Sequence, residues 1–191
     1  LFILIKGTNK HRATLLALVY GKSQPTKEQT KQQWNDYTSD IEKIRQTSKD
    51  QFDIIFMGDI NARIGNPLNS FEKEYIGKFG ENTRNDAGKR ALQFFIDLNL
   101  VCLNNRKEGV PKFTYQQKGL ESSKSIIDVI CISKSMFRNG HSARVLPTTI
   151  TTKESHDPVL TRVRLIRNTQ RNRRKKYKKY GTYQDTNNLR R

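Results

Sequence analysis

The sequence predicts an α/β domain, and two observations predict it. Apolar runs of strand length, Ile54 to Met57 and Ser125 to Ser133, are bounded by polar residues or glycine and read as buried strands. Polar segments carry apolar residues at helical spacing: Trp34, Tyr37, Ile41 and Ile44 on one, Ala91, Leu92, Phe95 and Ile96 on another. With 191 residues the chain is long enough for one domain with a real core.

Taken in order, Leu1 to Ile5 and Ala13 to Tyr20 are apolar runs joined by a polar turn, Lys6 to Arg12, and predict a hairpin. A helix is predicted from Thr26 to Ser48, with Trp34 as its anchor against a sheet. The strand at Ile54 to Met57 stops at Gly58, and Ala62 to Asn85 reads as a long surface loop. Asp86 caps a helix reaching about Leu98. Short strands follow at Val101 to Leu103 and Lys112 to Gln116. Ser125 to Ser133 is apolar on both faces and therefore central, with Asp128 in its middle. A strand near Ala143 to Leu146 and a last one running to Ile166 complete the body.

The charge is extreme. The formal net charge is +18, which favours a polyanion such as nucleic acid, or an anionic membrane surface. From Ile166 onward ten Lys/Arg face one acid, Asp185, a net of +9; the preceding part carries 26 Lys/Arg and 17 acids, also +9. The tail at 167–191 keeps no hydrophobic period and reads as disordered when free, a phosphate-binding arm or a linker toward a further domain. Cys102 and Cys131 lie in apolar runs and read as reduced core residues. No run approaches the ~20 apolar residues of a membrane span, and the opening residues do not make a signal peptide. The expected setting is nuclear or cytoplasmic, without membrane or secretion, and the expected state a monomer. The chain opens without Met inside a predicted strand, so it reads as part of a longer protein.

Chemistry concentrates at Gly58-Asp59-Ile60-Asn61. In extended chain residues i and i+2 point the same way, so Asp59 and Asn61 project together while Ile60 enters the core. Gly-Asp and Asn also form turns, so turn and site stand level here. Asp128 in an apolar strand needs a cationic or hydrogen-bonding partner. His156, at the entry of the last strand, fits that need, and a carboxylate on one imidazole nitrogen leaves the other free for chemistry. Such a bond also serves simply to tie two strands together.

Three motifs stand in order: Gly58-Asp59-Ile60-Asn61-Ala62, Ile127-Asp128-Val129-Ile130 and His156-Asp157-Pro158-Val159. Together they resemble the endonuclease/exonuclease/phosphatase superfamily. The wording of Met57 to Gly65 and of Thr83 to Gly88, and the placement of Lys112-Phe113-Thr114-Tyr115, are most similar to the endonuclease domain of non-LTR (LINE-type) retrotransposons and craniofacial-development-protein relatives. The resemblance implies a four-layer αββα sandwich, deoxyribonuclease-like, of which residues 1–166 form the C-terminal portion. It implies Mg²⁺-dependent (or Mn²⁺-dependent) phosphodiester hydrolysis that nicks DNA. Asp59 and Asn61 would orient water and phosphate; the Asp128–His156 pair would support proton transfer or charge on the phosphorane; Tyr20 would lean on the phosphate. Arg63, Asn85, Thr114 and Tyr115 match positions expected to contact phosphate or DNA, and the resemblance leaves room for a reverse transcriptase domain downstream without deciding that one follows.

The chain departs from the family pattern twice. The opening strands, which carry an Asn and the Glu that is the main metal ligand, have no counterpart here. The last motif reads Glu154-Ser155-His156-Asp157 where relatives place an acid before the His, which leaves Asp157 as the substitute ligand. Impaired catalysis follows as an expectation. The rival readings are a non-catalytic nucleic-acid-binding remnant, whose affinity would fall steeply with salt, and a phosphatase on a small or lipid substrate.

Overall fold

The computed structural model describes residues 1–8, 11–104, 106, 112–116, 124–138, 141–146 and 156–165. The tail at 167–191, Glu154 and Ser155 lie outside the described residues, as do the expectations placed on them.

The predicted hairpin forms from β1 (Phe2–Ile5) and β2 (Ala13–Tyr20), paired antiparallel. Helix α1 (Lys27–Thr47) follows, and its start is fixed by a capping box. The Thr26 hydroxyl accepts from the Gln29 backbone N–H at 3.2 Å, and the Thr26 N–H donates back to Gln29 Oε1 at 3.2 Å. Two of the helix's free N-terminal donors are thereby satisfied. As a crossover, α1 returns the chain so that β3 (Phe52–Asp59) runs parallel to β2.

Strand β3 does not stop at Gly58 as predicted; it continues to Asp59. Gly58 has φ +142° and lies where a Cβ would sit 1.9 Å from the Val19 carbonyl oxygen. Glycine therefore carries the strand past a close backbone approach instead of ending it.

The predicted loop from Ala62 to Asn85 contains a short helix, α2 (Ser70–Ile76), capped by the Asn69 side chain. The loop is held by Arg84. Its guanidinium donates to the carbonyls of Ile64 and Asn66, each at 2.6 Å, and to both oxygens of Glu72 at 3.1 and 2.8 Å. Glu72 also accepts the Leu68 N–H at 2.8 Å. The residues that looked like surface punctuation thus enclose a polar core of their own.

Helix α3 (Asp86–Asp97) is capped by Asn85, one residue before the predicted cap. Strand β4 is Leu100–Cys102, and the Lys112 to Gln116 strand shortens to β5 (Tyr115–Gln116), paired with β6 (Lys124–Ser125). The run from Ser125 to Ser133 divides: Ser125 ends β6, Ile126 and Ile127 belong to no strand, and β7 is Asp128–Ser133. Asp128 consequently opens its strand, half-buried, where the sequence placed it mid-strand in the core. The last two predicted strands reduce to β8 (Arg144–Val145) and β9 (Val159–Leu160), paired antiparallel.

The main sheet has the order β1-β2-β3-β7-β4, so β7 is interior, as its double-sided apolarity required. Helices α1 and α3 cover one face, where Trp34, Ile41, Leu92, Phe94 and Phe95 meet Leu15, Ala17, Ile54 and Phe56. Trp34 and Phe94 rings lie 5.0 Å apart and Phe56 and Phe94 5.2 Å apart, within the range of favourable aromatic contact. The other face packs Ile130, Ile132, Leu103 and Met136 beneath residues that include Phe137 and Val159. A mixed five-stranded sheet with helices on one face and a second apolar layer on the other is consistent with a deoxyribonuclease-like sandwich. Cys102 and Cys131 are buried, free and paired in register across β4 and β7. Strand β1 forms an edge on which Ile3 and Ile5 are exposed. Among the described residues no helix is long and apolar enough to cross a membrane.

Two outcomes follow. Gly58→Ala strains a left-handed backbone position against the Val19 carbonyl and is expected to cost at least about 2 kcal/mol in urea unfolding. The Arg84 guanidinium holds the Glu72 carboxyl below its ordinary value of 4.5. The stability that wild type has over Glu72→Gln is therefore full above the unfolded glutamate value and disappears as pH falls through the lower folded one. Urea midpoints of both proteins along a pH series measure it.

Candidate active site

The parallel register of β2 with β3 sets Tyr20 beside Asp59, and the antiparallel register of β3 with β7 sets Asp59 opposite Asp128. One row across three neighbouring strands thus carries all three residues. By strand alternation they share the face opposite Phe56 and the helices. Tyr20 is largely exposed, with 74% of its surface open to solvent.

Asn61 reaches Asp59 by a route other than the extended chain expected. Strand β3 ends at Asp59, and Asn61 adopts a left-handed conformation with φ +46°, a region Asn tolerates better than most residues. The Asn61 backbone N–H then donates to Asp59 Oδ1 at 2.8 Å. Its carboxamide nitrogen donates to the Gly21 carbonyl at 2.7 Å and to Asp59 Oδ2 at 3.3 Å. Turn and cluster, the two readings the sequence left level, are one arrangement here: an Asx-type turn whose carboxylate stays in the site. The Ile60 side chain is buried, as expected, and its N–H donates to the Ile127 carbonyl at 2.8 Å.

His156 Nδ1 lies 2.9 Å from Asp128 Oδ2. A carboxylate only accepts, so this contact assigns the proton to Nδ1 and leaves the Nε2 lone pair of the neutral ring free. The His156 side chain is 42% exposed, against 21% for Asp128. Tyr115 packs against the imidazole with ring centres 4.9 Å apart and planes tilted by 60°.

Ligand atoms of Asp59, Asp128 and His156 all lie within 4.8 Å of one another. Burial pushes the Asp59 carboxyl above its ordinary value; the Asn61 N–H and His156 oppose that shift and Asp128 adds to it. Two carboxylates facing each other in a half-buried setting are a fitting donor set for a hard divalent cation, which such a cation would relieve of mutual repulsion. The imidazole, tied to Asp128 through Nδ1, is the less suited donor for Mg²⁺. Asp157, the substitute ligand expected from the sequence, is not in this cluster; its backbone N–H donates to the Thr114 carbonyl at 2.8 Å.

The remaining candidates divide by what holds them. Arg63 donates through Nε to Glu81 Oε2 at 2.6 Å, places Nη2 2.5 Å from the same oxygen, and reaches the Lys124 carbonyl at 3.3 Å. Its side chain is 35% exposed, whereas that of Glu81 is 2% exposed. Asn85 Oδ1 accepts from Gly88 N at 2.7 Å and from Arg63 N at 3.1 Å, so its oxygen serves the α3 cap and the Arg63 backbone. Thr114 is fully buried, and its hydroxyl accepts the N–H groups of Ile127 and Asp128 at 3.1 and 3.0 Å. Glu81 was missed from the sequence. It is one acid among glycine and asparagine, and no local pattern distinguishes a buried counter-ion from a solvated one.

A family model described as endonuclease-reverse transcriptase matches residues 14–159, a span containing every residue of this site. No curated protein matches the chain.

Removing Arg63 strands the buried Glu81 carboxylate with the Ile126 N–H, at 3.2 Å, as its other partner. Arg63→Met is expected to destabilise the fold by about 3–5 kcal/mol. The double variant Arg63→Met/Glu81→Gln should recover part of that loss, read as shifts in the urea midpoint.

Proposed function

The chain belongs to the endonuclease-reverse transcriptase family, and from that premise we propose that it is a divalent-metal-dependent phosphodiesterase of the non-LTR retrotransposon type that nicks DNA. The observation that carries this reading is the row of Tyr20, Asp59 and Asp128 closed by His156 at 2.9 Å from Asp128. The net charge of +18 supports a polyanionic substrate.

In this reading the carboxylates of Asp59 and Asp128 would hold Mg²⁺ or Mn²⁺. Such an ion, when bound, would supply charge stabilisation and a more acidic water. Asp59, braced by both nitrogens of Asn61, orients the attacking water. His156, when protonated, presents Nε2–H to a non-bridging oxygen of the phosphate as negative charge develops there. Asp128 holds the ring in that orientation and stabilises the imidazolium, the role a carboxylate plays behind a catalytic histidine. The Tyr20 hydroxyl lies exposed at the end of β2, where it can donate to the phosphate. The exposed part of the Arg63 guanidinium gives the flanking backbone a fixed cation, anchored by Glu81. Tyr115 packs against His156 and closes one side of the ring.

Conversion of supercoiled plasmid to nicked circle in Mg²⁺ tests the reading. Activity should vanish with chelator and fall about 100- to 10,000-fold in Asp59→Asn and in His156→Ala. Equal nicking by Asp59→Asn, or release of inorganic phosphate without strand cleavage, would overturn it.

A further inference from the structure

Thr114 sits where a phosphate-contacting residue was expected, yet none of its surface is open to solvent. Its polar atoms instead reach backbone groups beside each main member of the site. The hydroxyl oxygen accepts from Asp128 N at 3.0 Å and from Ile127 N at 3.1 Å. The Ile127 carbonyl in turn accepts the N–H of Ile60, the residue between Asp59 and Asn61, at 2.8 Å. The Thr114 carbonyl accepts the N–H of Asp157, next to His156, at 2.8 Å. Its own N–H donates to the Ser125 carbonyl at 3.0 Å. The following residue, Tyr115, bridges to His156 in antiparallel fashion and packs its ring, tilted by 60°, against the imidazole.

These contacts matter because regular ladders join Tyr20, Asp59 and Asp128, whereas His156 meets its neighbour Tyr115 only through an isolated bridge. Ile126 and Ile127 lie between β6 and β7, outside either strand, and the N–H groups of Ile127 and Asp128 take their acceptor from outside the main sheet. His156 precedes a strand of only two residues, Val159–Leu160, and lies outside it. A hydroxyl oxygen with two lone pairs can take two N–H groups at once, and a buried one is not drawn away by water.

We propose that Thr114 is a positioning residue: its hydroxyl and carbonyl fix the backbone on both sides of the Asp128–His156 bond, so that the imidazole is already aimed before substrate arrives. The inference rests on the phosphodiesterase reading for its effect on rate. The positioning itself is readable without activity.

Thr114→Val keeps the shape and removes the acceptor; Thr114→Ser keeps the acceptor. Each protein is first checked for folding by circular dichroism. Two readouts then apply. In proton NMR the His156 Nδ1–H, deshielded by Asp128, and the slow-exchanging amides of Ile127 and Asp128 should be present in wild type and Thr114→Ser. They should be lost or broadened in Thr114→Val. In plasmid nicking, Thr114→Val should lose about 10- to 100-fold in kcat with KM nearly unchanged, and Thr114→Ser should restore wild-type turnover. Should Thr114→Val not fold, Thr114→Ala carries the same comparison. An unchanged imidazole proton and unchanged amide exchange in the Val or Ala protein would overturn the positioning role, as would a Ser protein as impaired as the Val protein. Loss of the NMR signals in a series whose wild type does not nick would leave the positioning role standing and overturn the phosphodiesterase reading instead.

Discussion

The pairing of β3 with β7 in a register that sets Asp59 opposite Asp128 is the constraint on which the whole upper end of the sheet depends. Like charges directly across an antiparallel pair oppose association, so the arrangement persists only because each carboxylate has its own donors. Asn61 bonds both oxygens of Asp59, and His156 bonds Asp128. Gly58, one residue before Asp59, lets the Val19 carbonyl approach where a side chain would stand. The register is held from below by apolar pairs such as Phe56 with Cys131 and Met57 with Ile130. A shift by one residue would turn Asp59 toward the helices and Phe56 away from them, which the buried aromatic cluster forbids.

Around that row the protein spends buried charge to fix loops. Arg63 with Glu81 and Arg84 with Glu72 each tie a turn to the body through several hydrogen bonds. Desolvating such pairs costs much of what their attraction returns, so their net effect on stability is small compared with the cost of breaking one. What they supply is geometry. The segment after Asn61 leads to an arginine clamped by a buried acid, and from there to the Asn85 cap of α3. The site's rim and the helical layer are thereby mechanically one piece.

Much of the fold was legible in the sequence. The hairpin, α1 with Trp34 and Ile41 inward, the interior placement of the Asp128–Ser133 part of the long apolar run and the paired Asp128 and His156 all followed from periodicity and from the rule that a buried carboxylate needs a partner. The misplacements have separate causes. Gly58 read as a strand end because local pattern cannot reveal a neighbouring carbonyl at 1.9 Å from its absent Cβ. Helix α2 was hidden because its seven residues are too few for a period to show. Phe94 escaped the predicted stripe because α3 buries a wider face against Trp34 and Phe56 than a single stripe allows.

The sequence by itself determined which residues had to be inside and which chemical groups would need company: two apolar strands, two amphipathic helices, an acid at Asp128 and a histidine to answer it. Only the tertiary structure decided that Tyr20, Asp59 and Asp128 stand in one row, that Glu81 is the counter-ion of Arg63, and that Thr114 faces the backbone instead of a ligand. The physical reason is range. Hydrophobic periodicity is written within a few neighbouring residues. Register, counter-ions and acceptors for amides outside a ladder are chosen among groups well beyond a few residues apart, where identity says what a side chain can do and only geometry says which partner it finds.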